Sequence, residues 1–519
     1  MANLAIHGAH NANLAVEDNG KLICVVEFER WMNNKNCGYT SVYPICNVQN
    51  FVVQEILDYV AKNFNIHEYE NCWYQDAVLD CFKDIKCKNF QDVTHVGSHH
   101  AFHAYGSFYQ FPLDECLCLS YDGGAPDGYF HLYKMKRGQK AELLKNVQID
   151  LGSNYGWIGS FCGEIKQGPR KCNLVYAGKV MGLQSYGKPR EEWKAKFREY
   201  YNFMPWWRDT DQRLIAAINE WGLTLDGTNR LNGQESFDFA ATSQAVFEDL
   251  VIEHIDEVMQ QHPDLPICIT GGCALNIVLN TKIGEKYNRK VYVAPNSSDC
   301  GLAVGILASQ VHHTEIWDVT YAGLELLDKP LLMRYVDANG GVKANLDHMA
   351  EELANNLIYG FVQGRAEHGP RALGNRSIIC NPIGKDVKDT LNARVKHREW
   401  YRPFAPIVRL QDVSEYFEFE GESRWMNFCP LVKPEYLEKM PGITHVDKTA
   451  RVQTITREQN PLMYDLLTKF KEKTGIGVLL NTSFNVDGKP ILSTISEAFE
   501  VFRNTQLDRL YIEGYYFKK

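Results

Sequence analysis

Short apolar runs bounded by polar turn residues open the chain and predict β-strands. Three such runs cover residues 4–7, 13–16 and 22–27, and the segments between them are rich in the Gly, Asn and Asp of turns. Apolar positions with helical spacing follow at residues 52–63. The chain is therefore predicted to begin with a strand hairpin and to continue into a helix.

The same alternation of strand and helix patterns continues through the next two hundred residues. Strand-like runs at residues 116–120 and 128–134 flank a Gly-rich turn, and a long amphipathic helix is predicted over residues 241–261. An apolar strand at residues 267–270 and a helical stretch from Ala274 follow. This alternation favours a mixed or parallel sheet covered by helices, which is an α/β fold.

Periodicity is lost between residues 317 and 341, where Gly and Pro interrupt the pattern. We place a domain boundary there, which divides the chain into residues 1–335 and 336–519. A second α/β pattern begins after the boundary. Its predicted elements are a helix at residues 346–356, a strand at 358–363, a helix from Val387 and a strand at 477–480.

Composition agrees with a globular protein of two or more folding units, since the 519 residues are 45% hydrophobic and 23% charged. No apolar run approaches the roughly 20 residues that cross a bilayer, and the N-terminus lacks a signal pattern, so we expect a cytoplasmic protein without a membrane partner. The fifteen scattered cysteines are expected to be reduced thiols. A net charge of −9 argues against polymeric nucleic acid as a partner.

A His-rich segment offers a candidate metal site. His99 and His103 are four positions apart, which on a helix puts both imidazoles on one face. Asp299, in a turn before a predicted helix, is a candidate third ligand. Two histidines and one carboxylate suit iron, with magnesium or manganese as alternatives. The competing interpretations are partly exposed histidines and an Asp that caps its helix.

Three Gly-rich segments are candidate nucleotide contacts. They cover residues 122–128, 178–182 and 271–276, and the last lies at a strand-to-helix turn that favours an anion. The alternative is that these glycines only reverse the chain, because neither the Rossmann nor the Walker pattern is present. The candidate contacts are Lys179, Gly271, Gly272 and Asn276.

Cations are dense between residues 364 and 406, where they alternate with Gly, Pro and apolar residues rather than with acidic ones. Such a pattern is typical of a pocket for phosphates, for which the guanidinium group has a suitable bidentate geometry. The cations are Arg365, Arg371, Arg376, Lys396, Arg398 and Arg402.

Three further residues are candidates for the chemistry. Arg451 and Ser483 lie in segments with hydroxyl and amide groups that suit a small anion, although ordinary strand and turn roles fit as well. His10 lies in a tight turn between the opening strands, where it is either a general base or an ordinary turn residue.

Six motifs occur in a fixed order along the chain: His99/His103, Gly178-Lys-Val-Met-Gly-Leu183, Gly271-Gly-Cys-Ala-Leu-Asn276, Gly369-Pro-Arg-Ala-Leu-Gly-Asn-Arg-Ser377, Arg402-Pro-Phe-Ala-Pro406 and Asn481-Thr-Ser-Phe-Asn485. Together they resemble the O-carbamoyltransferases of the nodulation-protein-U and cephem-carbamoyltransferase type over nearly the whole chain. The resemblance implies a bilobal N-terminal domain of the actin-like, sugar-kinase superfamily, similar to the metalloprotein that makes threonylcarbamoyladenosine in tRNA. It also implies a C-terminal domain similar to YrdC.

The resemblance also implies an activity. The C-terminal domain would combine carbamoyl phosphate and ATP into carbamoyladenylate, and the N-terminal domain would transfer the carbamoyl group to a hydroxyl of a small-molecule acceptor. An enzyme that modifies adenosine in tRNA is the alternative. The implied residues are His99, His103 and Asp299 for the metal, His10 for the acceptor proton, Arg371 and Lys396 for ATP, and Arg451 and Ser483 for carbamoyl phosphate.

Overall fold

The computed structural model describes residues 1–38, 51–77, 85–94, 99–167, 173–202, 210–311, 315–384 and 386–519. These residues form three sheets with covering helices, so the predicted α/β class is confirmed. In these ranges no helix has the length and apolar character to span a membrane. Every cysteine in these ranges is a free thiol, and all but Cys87 are buried.

The first sheet confirms the predicted opening strands. Its strand order is β3-β2-β1-β4-β5, in which β2 is antiparallel to β1 and β3, and β4 and β5 run parallel to β1. Leu4 and Ile6 share a core with the second helix, whereas Ala5 faces the opposite side of the sheet. The elements are β1 (Ala2–His7), β2 (Asn13–Asp18), β3 (Lys21–Glu27), α1 (Phe28–Trp31), α2 (Phe51–Phe64), β4 (Tyr69–Gln75) and β5 (Cys87–Asp92).

The second sheet repeats the topology of the first. Its elements are α3 (His99–Phe108), β6 (Glu115–Ala125), β7 (Gly128–Lys136), β8 (Glu142–Val147), α4 (Leu151–Ile158), α5 (Asn173–Leu183), α6 (Glu191–Asn202), α7 (Thr210–Glu220), α8 (Gln234–Gln261), β9 (Ile267–Thr270), α9 (Ile277–Tyr287), β10 (Val291–Val293) and α10 (Leu302–Val311). The strand order is β10-β9-β6-β7-β8, with β7 antiparallel to its neighbours and β9 and β10 parallel to β6. This repetition confirms the predicted bilobal, actin-like N-terminal domain.

Helices α3 and α10 join the two lobes. Helix α10 packs on the first sheet, helix α3 packs on the second, and the two helices contact each other. Glycines permit the close approach, because an added Cβ on Gly305 would lie 1.9 Å from the carbonyl oxygen of Phe102. The start of α3 therefore comes next to the turn that precedes α10.

The C-terminal domain is built on one mixed sheet with a core on each face. Its strand order is β11-β18-β17-β12-β13-β16-β14-β15. Ile378 and Ile379, adjacent on one strand, pack into opposite cores. The elements are α11 (Leu332–Ala338), β11 (Val342–Lys343), α12 (Leu346–Ala354), β12 (Tyr359–Val362), β13 (Arg376–Cys380), α13 (Val387–Thr390), β14 (Ala405–Arg409), α14 (Val413–Tyr416), β15 (Gln453–Ile455), α15 (Pro461–Thr474), β16 (Val478–Ser483), α16 (Ile495–Asn504), β17 (Arg509–Ile512) and β18 (Tyr515–Lys518).

The division at residues 335 and 336 stays a prediction. The ring of Tyr335 stacks on Phe499 at 5.2 Å, and Val336 lies in a C-terminal core. Helix α11 therefore packs with the C-terminal domain.

One local prediction was wrong, and one predicted helix is present but short. The glycines of residues 178–182, predicted as a turn, lie inside α5, where Gly182 packs against Pro403 of the C-terminal domain at an added-Cβ distance of 3.5 Å. The helix predicted from Val387 has only four residues and passes into one π-helical turn, Leu391–Val395. Lys396 follows that turn directly.

Candidate active site

Two histidines and two aspartates converge between the lobes. His99 and His103 come from α3, Asp122 from β6, and Asp299 from the turn before α10, and their ligand atoms all lie within 4.8 Å of one another. The two Nε2 atoms are 3.1 Å apart, and His103 Nε2 is 3.1 Å from Asp122 Oδ2 and 3.3 Å from Asp299 Oδ1. Ligand atoms that share one first-row ion at about 2.1 Å are separated by similar distances. The four residues therefore fit a single divalent ion.

The electrostatics of this cluster favour charged carboxylates. Burial disfavours the charge of Asp299, yet His10, His103 and His99 hold its pKa well below the usual value. Burial also opposes the charge of His103, but hydrogen bonds with Asp122 and Asp299 raise its pKa to about 9. Burial lowers the pKa of His99. The set thus offers imidazole and carboxylate donors together, a combination that suits first-row divalent ions.

Asp122 is a candidate ligand that sequence reasoning missed, because it was read only as part of a Gly-rich turn. Its Oδ2 accepts the backbone N–H of Gly272 at 2.9 Å. Gly271 has a φ of +84°, and an added Cβ there would lie 2.1 Å from a backbone oxygen of β6. The available signal was an acidic residue at the end of an apolar strand, beside two glycines.

The predicted nucleotide contacts separate in space. Gly271 and Gly272 lie beside the candidate metal cluster, by which we mean His99, His103, Asp122 and Asp299, because the N–H of Gly272 donates to Asp122. The side chain of Asn276 caps α9 and is bonded to Gln244 at 3.0 Å. Lys179 lies elsewhere, on α5, and pairs with Glu399 of the C-terminal domain at 2.8 Å.

His10 has the neighbour that the sequence could not reveal. Its Nε2 lies 3.3 Å from Asp299 Oδ2, and its Nδ1 lies 3.1 Å from Asn11 Oδ1. Asp299 therefore faces His10 with one oxygen and the histidines of α3 with the other. The predicted base and the predicted metal ligands form one continuous site.

In the C-terminal domain, Lys396 and Ser483 are in contact. The Nζ of Lys396 donates to the carbonyl of Ser483 at 2.6 Å, to its Oγ at 3.2 Å, and to the carbonyl of Asn485 at 2.7 Å. Burial, followed by the charges of Arg398 and Arg402, lowers the pKa of Lys396 well below the usual value. This lysine is held at the end of β16 in a strongly cationic environment.

Arg398 and Arg402 lie near this lysine, and Arg371 and Arg451 lie near those arginines. We call the whole group the cation pocket: Arg371, Lys396, Arg398, Arg402 and Arg451. Burial and the charge of Arg402 lower the pKa of Arg371 to about 10. Burial, then Arg371, Arg398 and Arg402, lowers the pKa of Arg451. In the described part of the chain the Nε atoms of Arg371 and Arg451 are buried without a hydrogen-bond partner. Clustered cations that repel one another, two of which have a buried and unpaired Nε, indicate a site for a polyanion.

Two cations of the same segment serve the fold instead. Arg376 is fully buried, and its guanidinium donates to the carbonyls of Gln363 and Gly364 at 2.7 and 2.8 Å. Arg365 donates to the carbonyls of Gly323 and Ala322, both at 2.7 Å. The sequence could not separate these structural arginines from those of the cation pocket.

Comparison with known proteins finds relatives that match most of the chain. The family model described as carbamoyltransferase N-terminus matches residues 50–308, and the one described as carbamoyltransferase C-terminus matches residues 350–519. Nodulation protein NolO of Bradyrhizobium diazoefficiens is 31% identical over 81% of this chain and 79% of that protein. Nodulation protein U of Rhizobium tropici is 30% identical over 86% of this chain and 80% of that protein.

Similarity to solved structures is weaker. Full-length HypF in the phosphate- and nucleotide-bound form matches 61% of this chain and 56% of its own, with 14% identity and a TM-score of 0.35. The sequence matches extend across both domains and confirm the resemblance inferred from the six motifs. The chain belongs to the carbamoyltransferase family.

Proposed function

We propose that this carbamoyltransferase uses carbamoyl phosphate and ATP to carbamoylate a hydroxyl group of a small molecule. The observation that supports this most strongly is the presence of two unlike sites, a four-residue cluster that fits a metal ion and a pocket of five buried or half-buried cations. Neither site alone offers residues both for the activation of carbamate and for the transfer of the carbamoyl group. The acceptor is proposed only as a hydroxylated small molecule.

The first half-reaction is assigned to the cation pocket. Water cleaves carbamoyl phosphate into phosphate and carbamate; a carbamate oxygen then attacks the α-phosphorus of ATP, and pyrophosphate leaves. Charge builds up on the phosphate oxygens in these steps, and fixed guanidinium and ammonium groups stabilise it. Arg371 and Lys396 are assigned to the ATP phosphates, with Arg398 and Arg402 beside them, and Arg451 and Ser483 to carbamoyl phosphate.

The second half-reaction is assigned to the cluster between the lobes. The acceptor oxygen attacks the carbamoyl carbon, the bond to AMP breaks, and the hydroxyl proton passes to His10, which Asp299 orients. A divalent ion bound by His99, His103, Asp122 and Asp299 would supply Lewis-acid polarisation of a carbonyl or phosphoryl oxygen. Iron is the proposed ion, in keeping with the mixed nitrogen and oxygen donors.

Pyrophosphate release tests the proposed function. The wild-type protein is expected to release pyrophosphate from ATP only when carbamoyl phosphate is present. Lys396→Ala is expected to abolish this release, because the buried ammonium group at Ser483 is lost. Lys473→Ala, which changes an exposed lysine on α15, is the matched control and should keep the wild-type rate. Release that is independent of carbamoyl phosphate, or unaffected by Lys396→Ala, would contradict the assignment.

The acceptor can then be sought directly. Mass spectrometry of hydroxylated metabolites incubated with the enzyme, ATP and carbamoyl phosphate should find a product that has gained one carbamoyl unit. Retention of the protein on tRNA at low salt, against its net charge of −9, would favour the tRNA-modifying alternative instead.

A further inference from the structure

The backbone just before Arg371 contacts the turn that carries Asp299. His368 Nε2 donates to the carbonyl of Cys300 at 2.8 Å. At Gly369, which has a φ of +105°, an added Cβ would lie 2.3 Å from a backbone oxygen of the same turn. Residues 368–371 therefore contact the segment that leads into the Asp299 turn at one end and reach Arg371 of the cation pocket at the other.

Glu367 fixes the shape of the loop that follows. Its fully buried Oε1 accepts the backbone N–H groups of Leu373, Asn375 and Arg376 at 2.6, 2.8 and 3.0 Å. A carboxylate with three such bonds holds the loop in one conformation. The position of Arg371 is thus set relative to Glu367.

Two buried charged side chains of the first lobe, those of Glu27 and Arg30, form hydrogen bonds with the backbone of this segment. The N–H of Gly369 donates to Glu27 Oε1 at 2.9 Å, and its carbonyl accepts from Arg30 at 2.5 Å. Arg30 also donates to the carbonyl of Glu367 and lies 3.1 Å from Glu27. We call this unit the Arg30 clamp: the side chains of Glu27 and Arg30 with the backbone of Glu367 and Gly369. Only 6% of the surface of Glu27 and 7% of the surface of Arg30 is exposed. Removal of either charge would therefore leave the other buried without its partner.

The clamp is also tied to the metal cluster. Glu27 ends β3 and pairs in register with Asn13 of β2. The side chain of Asn13 donates to the backbone carbonyl of Asp299 at 2.8 Å and accepts the N–H of Ala303 at 3.0 Å. A continuous series of buried contacts therefore runs from Asp299 through Glu27 and Gly369 to the loop of Arg371.

We propose that Glu27 and Arg30 are positioning residues that hold the two sites in register, so that the activated carbamoyl group is kept from water until an acceptor takes it. This inference rests on the proposed function. Carbamoyladenylate reacts with water to give carbamate and AMP, a loss that an enclosed and fixed interface between the sites prevents. Displacement of reacting groups by about an ångström changes enzymatic rates by up to about a hundredfold.

Idle turnover measures this directly and needs no acceptor. With ATP and carbamoyl phosphate alone, the wild-type protein is expected to release pyrophosphate in a burst of about one equivalent and then slowly. Arg30→Met should keep the burst, because Arg30 lies outside the cation pocket, and should raise the slow phase about tenfold or more relative to the burst. Glu27→Gln is the milder variant, since its amide oxygen still accepts from Gly369 while the charge beside Arg30 is lost.

A matched arginine separates register from general destabilisation. Arg289 also binds backbone carbonyls, those of Met259 and His262, but within the second lobe. Arg289→Met should leave the ratio of slow phase to burst at the wild-type value. An unchanged ratio in both clamp variants, or an equal rise in Arg289→Met, would overturn the clamp. A wild-type protein without any burst that depends on carbamoyl phosphate would contradict the proposed function itself.

Discussion

Arg371→Met is expected to make the empty protein more stable while it removes affinity for anions. Burial and the charge of Arg402 lower the pKa of Arg371 from its ordinary value to about 10. At about 1.36 kcal/mol for each pKa unit, the folded protein loses on the order of 3 kcal/mol of stability by keeping this guanidinium charged. Methionine has a similar length and no charge, so it removes that cost. We expect a gain of about 1–3 kcal/mol.

Urea unfolding with and without pyrophosphate is the assay. The variant's midpoint should rise without ligand at an unchanged slope, and the stabilisation by pyrophosphate should shrink, since ligand stabilisation follows occupancy. Arg376→Met is the matched control, because burial lowers the pKa of that arginine to about 10 as well, but its guanidinium donates to the carbonyls of Gln363, Asn375 and Gly364. Loss of these three bonds, at about 1.5–3 kcal/mol each, should outweigh the removed charge and destabilise the protein.

The contrast between the two arginines decides the outcome. If Arg371→Met destabilises the empty protein as Arg376→Met does, and pyrophosphate still protects it fully, then Arg371 serves the fold and the cation pocket has been wrongly defined.

Two further predictions concern Lys396 and Asp122. The pKa of Lys396 is lowered in the folded protein and returns to about 10.4 on unfolding. Between these two pKa values the unfolded chain binds more protons than the folded protein. The free energy of unfolding should therefore rise with pH until the pH passes the pKa of the unfolded state. Midpoints of urea unfolding measured between about pH 7 and 10.5 should show this rise, and Lys396→Met should flatten it. An equal slope of stability against pH in both proteins would mean that the pKa of Lys396 is not lowered in the folded protein. Asp122→Asn should weaken binding of Mn²⁺ or Fe²⁺ by about tenfold or more, measured as bound metal after dialysis, whereas Asp264→Asn, at an exposed position, should leave it unchanged. Wild-type affinity in Asp122→Asn would exclude that carboxylate from the site.

Local patterns predicted the parts of the site that lie close together in sequence. The spacing of His99 and His103 determines their shared helix face, and the apolar runs at residues 4–7 and 13–16 predicted the hairpin that carries His10. Asp122 was missed because its closeness to His103 depends on the packing of α3 against β6, which local patterns do not encode.

Contacts between domains were equally invisible. The sequence predicts a turn at Gly178 and Gly182, yet both lie in α5, from which Lys179 pairs with Glu399 across the domain interface. Glycine favours turns on local grounds, but in a helix it also permits close packing, and only the tertiary structure distinguishes the two. The structural role of Arg376 was hidden for the same reason, since its carbonyl partners are set by the fold.

The cation pocket is proposed to activate carbamate as an adenylate. The most direct measurement is exchange of radiolabelled pyrophosphate into ATP, which reports reversible attack on the α-phosphorus. We predict exchange that requires carbamoyl phosphate and disappears in Lys396→Ala while Lys473→Ala retains it. Exchange without carbamoyl phosphate, or no exchange in a protein that still carbamoylates a hydroxyl, would contradict the activation of carbamate as an adenylate.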